Sequence, residues 1–208
     1  MAKSNKPKKP TQSYGYLSFS KDGKVSKNMF SLSNDKDTQE YRVAEQFCEH
    51  LIHSGQLSAD AEIVKLPEAD HDFIIKNIPN DITLQITEIV EREFTTELSM
   101  EKYKSGAHTS YIVKEGNPIP WAVDEMKRDN SLRLAIERKL LRNYTKGNDE
   151  ILWLLIFTTS SCIQTEISTT LKLAGDYLYN IDHLIFDKIW FTNLLTKPTQ
   201  IWPVMESN

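Results

Sequence analysis

The first regular pattern in the chain is a stripe of apolar residues at helical spacing that starts near Asp37. Asp37 followed by Glu40 has the spacing of a capping box, and the apolar repeat continues as far as Gly55. The repeating positions are Tyr41, Ala44, Phe47, Cys48, Leu51 and Ile52. This spacing predicts an amphipathic helix with one face on a core.

Three short runs after this helix predict β-strands at residues 61–66, 71–77 and 81–90. The sequence IPND lies between the second and the third run, and its proline, asparagine and aspartate favour a tight reversal. We therefore expect these two strands to form a hairpin. Because side chains alternate along a strand, Gln85 and Thr87 are predicted to point to the same face of the sheet.

The rest of the chain predicts two more helices and two more strands after one irregular segment. Residues 91–123 lack a sustained repeat, and we interpret them as an insertion or a mobile flap over one sheet face. Lys139 falls within the apolar line of the helix that follows, which is unusual because an inward ammonium needs a partner or water. The expected elements are a helix at 124–144, a strand at 151–157, a helix at 165–180 and a strand at 183–191.

Composition narrows the class of protein. A chain of 208 residues, 39% of them hydrophobic, is long enough for one sizeable core. Its longest apolar run, ILWLLIF, has seven residues, whereas a membrane-spanning helix needs about 20. Cys48 and Cys162 lie far apart in the sequence, so neither a disulfide framework nor a zinc site is indicated. The N-terminus is charged but no apolar segment follows it, so it does not resemble a secretory signal. We therefore expect a cytoplasmic protein with no membrane partner.

The charge is distributed unevenly along the chain. Residues 1–34 contain seven lysines against the single Asp22, a balance of +6, and since the whole chain carries -4, residues 35–208 carry -10. This composition predicts a basic, disordered arm over residues 1–36 and a single domain over residues 37–208. The arm is either a solubilising tail or a salt-sensitive clamp on a nucleic-acid backbone.

The predicted order is helix, three strands, helix, strand, helix, strand, and over residues 38–192 it resembles the restriction-endonuclease-like, or PD-(D/E)XK, superfamily. Asp72 and the later LQIT, which begins at Leu84, are similar to the "DF … ExT" form of some bacterial branches. The resemblance implies an α/β fold in which helices flank a central mixed β-sheet, with an insertion after the third strand. It also implies action on nucleic acid in bacterial DNA processing or phage defence.

The resemblance implies a metal-dependent site for phosphodiester hydrolysis. Asp72 matches the first carboxylate of the motif, and it would bind Mg²⁺ or Mn²⁺, which prefer oxygen ligands. Gln85 stands at the position of the second carboxylate; its amide oxygen can ligate a metal ion but brings no negative charge. Thr87 stands at the position of the usual lysine. These two departures from the motif put catalysis in question.

Two residues on helices could restore the missing groups. Lys139, directed toward the sheet, could take the role of the lysine of the motif. Glu45 on the first helix could return the second carboxylate and join Asp72 and Gln85 as a metal ligand, as helix-borne glutamates do in some members of the superfamily. Glu88 is a weaker candidate because it is predicted to point to the opposite sheet face.

A purely structural interpretation accounts for the same residues. Asp72 could cap a turn, Gln85 could form a hydrogen bond inside the sheet, and Lys139 could extend along the apolar stripe to solvent. The chain would then be a catalytically inactive, nuclease-like scaffold that serves as a protein-binding or regulatory subunit, or pairs with a second copy of itself.

The histidine pair His50 and His53 lacks an evident third metal ligand, and no glycine-rich phosphate loop occurs.

Overall fold

A computed structural model describes most of the chain and shows an α/β architecture. The described residues are 11–19, 25–33, 35–66, 71–89, 95–97, 110–114, 117–123, 125–142, 144–159, 163, 167–194 and 196–203. Its helices are α1 (Lys36–His53), α2 (Glu125–Leu140) and α3 (Ile167–Tyr179). The main sheet contains β3 (Glu62–Lys65), β4 (Phe73–Lys76), β5 (Ile82–Ile89), β9 (Ile151–Thr158), β10 (Lys188–Thr192) and β11 (Thr199–Trp202).

The six strands of the main sheet are ordered β11-β10-β9-β5-β4-β3 and form a mixed sheet. Its centre is parallel, because β9 pairs in parallel with both β5 and β10. The outer pairs β3/β4, β4/β5 and β10/β11 are antiparallel. The predicted hairpin of β4 and β5 is therefore confirmed, and so is the mixed sheet flanked by helices.

The two faces of this sheet pack against different helices. Val43 and Phe47 of α1 pack in one buried cluster with Leu84 of β5 and with alternate residues of β9. Leu132 of α2 and Leu178 of α3 pack in a second cluster against the other face. The seven residues Leu152 to Thr158 of β9 are all buried, as expected for a central strand that is covered on both sides.

Helix α1 begins slightly earlier than the sequence pattern predicts. The capping residue is Asp35, whose side chain accepts hydrogen bonds from the backbone N–H of Thr38 at 3.2 Å and from its hydroxyl at 2.9 Å. The prediction that Asp37 caps the helix is wrong, because Asp37 lies inside the first turn and pairs with Lys65 instead. An aspartate there still favours the helix through the helix dipole.

The N-terminal segment differs from the predicted disordered arm. Strands β1 (Thr11–Phe19) and β2 (Val25–Ser33) form an antiparallel hairpin, while residues 1–10 lie outside the described part of the chain. The sequence between the two strands contains Asp22-Gly23, a common hairpin turn pair. The excess of lysine predicts disorder for the whole segment, whereas the runs on either side of this pair form strands.

Three further strands lie between β5 and α2, where the sequence predicts an insertion or a flap. They are β6 (Thr95–Glu97), β7 (Ser110–Lys114) and β8 (Asn117–Val123), and they form a separate antiparallel sheet in the order β6-β8-β7. The residues that connect β5 to β6 and β6 to β7 are outside the described part. None of the helices described is long and apolar enough to cross a membrane.

Candidate functional site

Asp72 lies one residue before β4, at the point where the described pairing between β4 and β5 ends. Its carboxylate oxygen Oδ2 accepts a hydrogen bond from the backbone N–H of Ile86 at 2.8 Å. Its backbone carbonyl accepts another from the N–H of Leu66 at 3.2 Å. The structural interpretation expects Asp72 to cap a turn, whereas its Oδ2 bonds to Ile86 of the neighbouring strand β5.

Gln85 is buried on β5, with an exposed fraction of 2%. Its Oε1 accepts a hydrogen bond from Lys139 Nζ at 3.3 Å, and its Nε2 lies 3.2 Å from Nδ1 of His71. A lysine ammonium has only donors, so Oε1 must face it and Nε2 must donate to His71. The amide thus links the ammonium to the imidazole, and both of its polar atoms take part in the fold.

Lys139 lies in the last turn of α2 and is buried, with an exposed fraction of 7%. Besides its bond to Gln85, its Nζ donates to the backbone carbonyl of Ile86 at 3.1 Å. The expectation that this side chain extends to solvent is wrong, because two acceptors inside the protein hold it. Burial lowers the pKa of Lys139, and the nearby carboxylates of Asp72 and Glu40 act in the opposite direction.

Glu40 of α1 is the carboxylate that the sequence analysis missed. Its side chain is 14% exposed, and its charge interacts with those of Asp72 and Lys139. Burial raises the pKa of Glu40, while Lys36, 3.5 Å from its carboxylate, lowers it. The helical pattern contains the signal for its position, since residue 40 precedes the buried Val43, Ala44 and Phe47 by three, four and seven positions.

Glu45, the helix-borne carboxylate proposed from the sequence, lies in a different neighbourhood. It pairs with Arg42 at 2.6 Å and lines a groove of about 410 Å³ between α1 and the edge strand β3. The other residues of this groove include Tyr41 and Ile63. The contacts described for Glu45 connect it to Arg42 and to this groove, and none of them reaches Asp72, Gln85 or Lys139.

His71, which contacts Gln85 on the side away from Lys139, makes further contacts of its own. Nε2 of His71 lies 3.3 Å from the carbonyl of Thr145 and 3.7 Å from Oε1 of Glu150. The same Oε1 of Glu150 accepts a hydrogen bond from the hydroxyl of Thr83 at 2.7 Å. We call Lys139, Gln85, His71, Glu150 and Thr83 the Gln85 network. It joins α2, β5 and the loops before β4 and β9.

The fit of a divalent ion can be judged from the oxygen atoms that meet here. Oε1 of Gln85 and the carbonyl of Ile86 are suitable ligands for Mg²⁺ or Mn²⁺, but both already accept hydrogen bonds from Lys139. The described residues contain no group of three or more histidine, cysteine, aspartate or glutamate side chains that could hold a metal ion. While Lys139 keeps this position, the residues do not fit a resident divalent ion.

The remaining candidates lie apart from these contacts. Glu88 accepts a hydrogen bond from the hydroxyl of Thr159 at 3.3 Å, and Thr87 is half-buried on β5. His50 and His53 line a separate groove near Lys197, and His53 Nδ1 contacts the backbone carbonyl of Glu49 at 2.6 Å. Cys162 is outside the described part of the chain.

Comparison with known proteins adds no further constraint on this site. No family model, curated protein or solved structure matches the chain. In the described structure Lys139 contacts Gln85, and the carboxylates of Asp72 and Glu40 interact electrostatically with its ammonium.

Proposed function

We propose that this chain is a divergent PD-(D/E)XK-like protein that engages the phosphate backbone of nucleic acid at the site around Lys139. The supporting observation is the position of Lys139, which comes from a helix and meets Gln85 beside Asp72. The resemblance implies a lysine next to an acidic strand residue, and this arrangement supplies the lysine from a neighbouring element. An ammonium in a buried site interacts more strongly with a phosphate than it does in water.

The order of the elements supports the same proposal. The chain runs through α1, the strands β3 to β5, α2, β9, α3 and β10, which is the order that suggested the resemblance. Asp72 and Gln85 come from the predicted neighbouring strands, and Glu40 supplies a carboxylate from the first helix as the resemblance implies for Glu45. Metal-dependent hydrolysis would additionally need Lys139 to move away from the two oxygen atoms to which it donates hydrogen bonds.

A scaffold without catalytic activity is the second candidate, and the hydrogen bonds of Gln85 favour it. Both polar atoms of this amide form hydrogen bonds within the fold, and one carboxylate oxygen of Asp72 accepts a hydrogen bond from Ile86 of β5. A protein that binds a partner, such as a subunit of a bacterial DNA-processing or phage-defence assembly, needs these residues only for stability. Such a protein would keep its partner after the change Asp72→Asn.

Fluorescence anisotropy with labelled single-stranded DNA, duplex DNA and RNA tests the proposal. We expect at least one of these to bind, with an affinity that falls as salt rises because phosphate contacts release counterions. Lys139→Met should weaken binding about tenfold, the cost of one charge-assisted hydrogen bond. The matched control is Lys172→Met, which removes an exposed lysine of α3.

The same mixtures, incubated with and without Mn²⁺ and separated on a gel, test hydrolysis. Cleavage that needs Mn²⁺ and disappears in Asp72→Asn supports an enzyme. Binding without cleavage supports a protein that only engages nucleic acid. If none of the three nucleic acids binds, and Lys139→Met behaves like Lys172→Met, the proposal is wrong and the scaffold is favoured.

A further inference from the structure

The ammonium of Lys139 lies where a divalent ion would have to bind. Its Nζ is 3.3 Å from Oε1 of Gln85 and 3.1 Å from the carbonyl oxygen of Ile86, and it interacts with the carboxylates of Asp72 and Glu40. Oxygen atoms of this kind are the ligands that hard cations prefer. A positive charge supplied by the chain itself therefore contacts both of these oxygen atoms.

We propose that Lys139 is the resident cation of the site, that it excludes divalent ions, and that the site holds a phosphate group without metal. The exclusion of metal follows from the contacts of Lys139 alone. Only the choice of phosphate as the anion rests on the proposed function, so the two parts can be tested separately.

The charges around Lys139 are consistent with an anion as the ligand. The cations Lys36 and Arg142 and the carboxylates of Asp72 and Glu40 all interact electrostatically with Lys139. Lys36 and Arg142 are exposed and can therefore turn toward a bound phosphate. A divalent ion would instead add two positive charges next to an ammonium, which like-charge repulsion opposes.

His71 serves as a positioning residue in this arrangement. By accepting the N–H of Gln85, it keeps Oε1 directed at Lys139, and its ring stacks on Tyr144 with centroids 6.1 Å apart. The ammonium of Lys139, which has only donors, requires Oε1 on its side, and His71 then accepts from Nε2 at the other end of the amide. The orientation of one amide thus determines which atom faces the ammonium.

Titration with MnCl₂, followed by the electron paramagnetic resonance signal of free Mn²⁺, tests the exclusion of metal. We expect no saturable site in the wild-type protein, and a site at least about tenfold tighter in Lys139→Met, because two oxygen ligands become available. The double variant Lys139→Met/Asp72→Asn should lose that site. Lys172→Met should behave like the wild type.

The wild-type measurement alone can overturn the inference. Saturable Mn²⁺ binding to the wild type that disappears in Asp72→Asn would show that Lys139 does not exclude the ion. Thermal melts monitor folding, and if Lys139→Met does not fold, Lys139→Gln removes the charge while keeping a donor for Ile86. Equal Mn²⁺ affinity in wild type and in whichever of these variants folds would also contradict the inference.

Anisotropy in EDTA tests the second part. We expect nucleic acid to bind the wild type equally well in EDTA and in Mn²⁺, and to bind Lys139→Met more weakly in both. Binding that requires Mn²⁺ overturns the metal-free site. If no nucleic acid binds in either buffer, the proposed function fails, while the Mn²⁺ titration still decides the role of Lys139.

Discussion

The two faces of the six-stranded sheet differ in what they bury, although the same strands build both. Toward α1, strand β5 presents Ile82, Leu84 and Ile86 to an apolar cluster. Toward α2, the alternate positions Thr83 and Gln85 of the same strand are polar and buried. From Ile82 to Ile86 the side of β5 that faces α1 is therefore apolar, whereas the other side contains Thr83 and Gln85 of the Gln85 network.

The two sides of β5 therefore contribute to stability in different ways. Burial of apolar surface against α1 is favourable without further conditions. A buried network of polar groups is favourable only when every member has its partner, and apolar residues of similar size often serve stability as well or better. The Gln85 network is thus a feature that packing alone does not require.

The largest effect is expected on the apolar face. Phe47 is 1% exposed, and its ring lies 5.4 Å from that of Trp190 and 6.5 Å from that of Trp153. We expect Phe47→Ala to lower the free energy of unfolding by about 3–5 kcal/mol, the usual loss for a buried phenylalanine. Urea denaturation measures it, with the exposed Leu134→Ala as a control. A loss under about 1 kcal/mol would contradict the described packing.

A smaller loss is expected in the Gln85 network. Gln85→Leu has nearly the same volume but leaves Lys139 and His71 without their amide partner. We expect it to lower the free energy of unfolding by about 1–3 kcal/mol, the cost of buried groups that lose a hydrogen bond. If Gln85→Leu proves neutral in the same urea assay, the network does not hold these side chains as described.

The dependence of stability on pH should also differ between the two faces. Burial lowers the pKa of Lys139 in the folded protein, and the positive charges of Arg142 and Lys36 lower it further. The negative charges of Asp72 and Glu40 raise it, but the net shift is downward. The unfolded state then binds more protons, so stability gains with rising pH in a window that lies below 10.5 and ends near it. The contribution of one proton is at most about 1.4 kcal/mol per pH unit.

Urea denaturation at several alkaline pH values measures this dependence. The difference in stability between wild type and Lys139→Met should shift in favour of the wild type as pH rises, whereas the difference between wild type and Phe47→Ala should stay constant. A slope for Lys139→Met that equals that of the wild type would show that burial does not perturb this lysine.

The smallest effect is expected for the carboxylate that lies outside the site. Glu45 pairs with Arg42 on an exposed part of α1, where such pairs contribute little. We expect Glu45→Gln to change the free energy of unfolding by less than about 0.5 kcal/mol and to leave nucleic-acid binding unchanged. Glu40→Gln should alter that binding in the anisotropy assay. If Glu45→Gln alters nucleic-acid binding and Glu40→Gln does not, Glu45 and not Glu40 belongs to the site.

Periodicity predicted the elements that pack on the sheet, and it did so for physical reasons. Helix α1, the β4/β5 hairpin and the buried strand β9 each have a hydrophobic pattern fixed by their own burial. The hairpin of β1 and β2 and the short strands β6 to β8 were missed, because their sequences mix polar residues, glycine and proline without a sustained alternation.

One contact of the candidate site could be predicted from the sequence. Strand alternation and an inward lysine can both be recognised locally, and Lys139 and Gln85 are hydrogen-bonded. The choice between Glu40 and Glu45 depends on how far α1 is rotated against the sheet. The spacing of Glu40 from Val43 and Phe47 indicates that rotation once these two residues are known to face the core.

The parallel pairing of β5 with β9 has a consequence for the growing chain on the ribosome. The hydroxyl of Thr158 on β9 bonds to the carbonyl of Ile89 on β5, 69 residues earlier in the sequence. Translation at about 5–20 residues per second needs roughly 3–14 s to make those residues. During that interval the edge of β5 that pairs with β9 has unpaired N–H and C=O groups, which can pair with strands of other chains. We therefore expect expression of this protein to depend on chaperones that shield nascent strands.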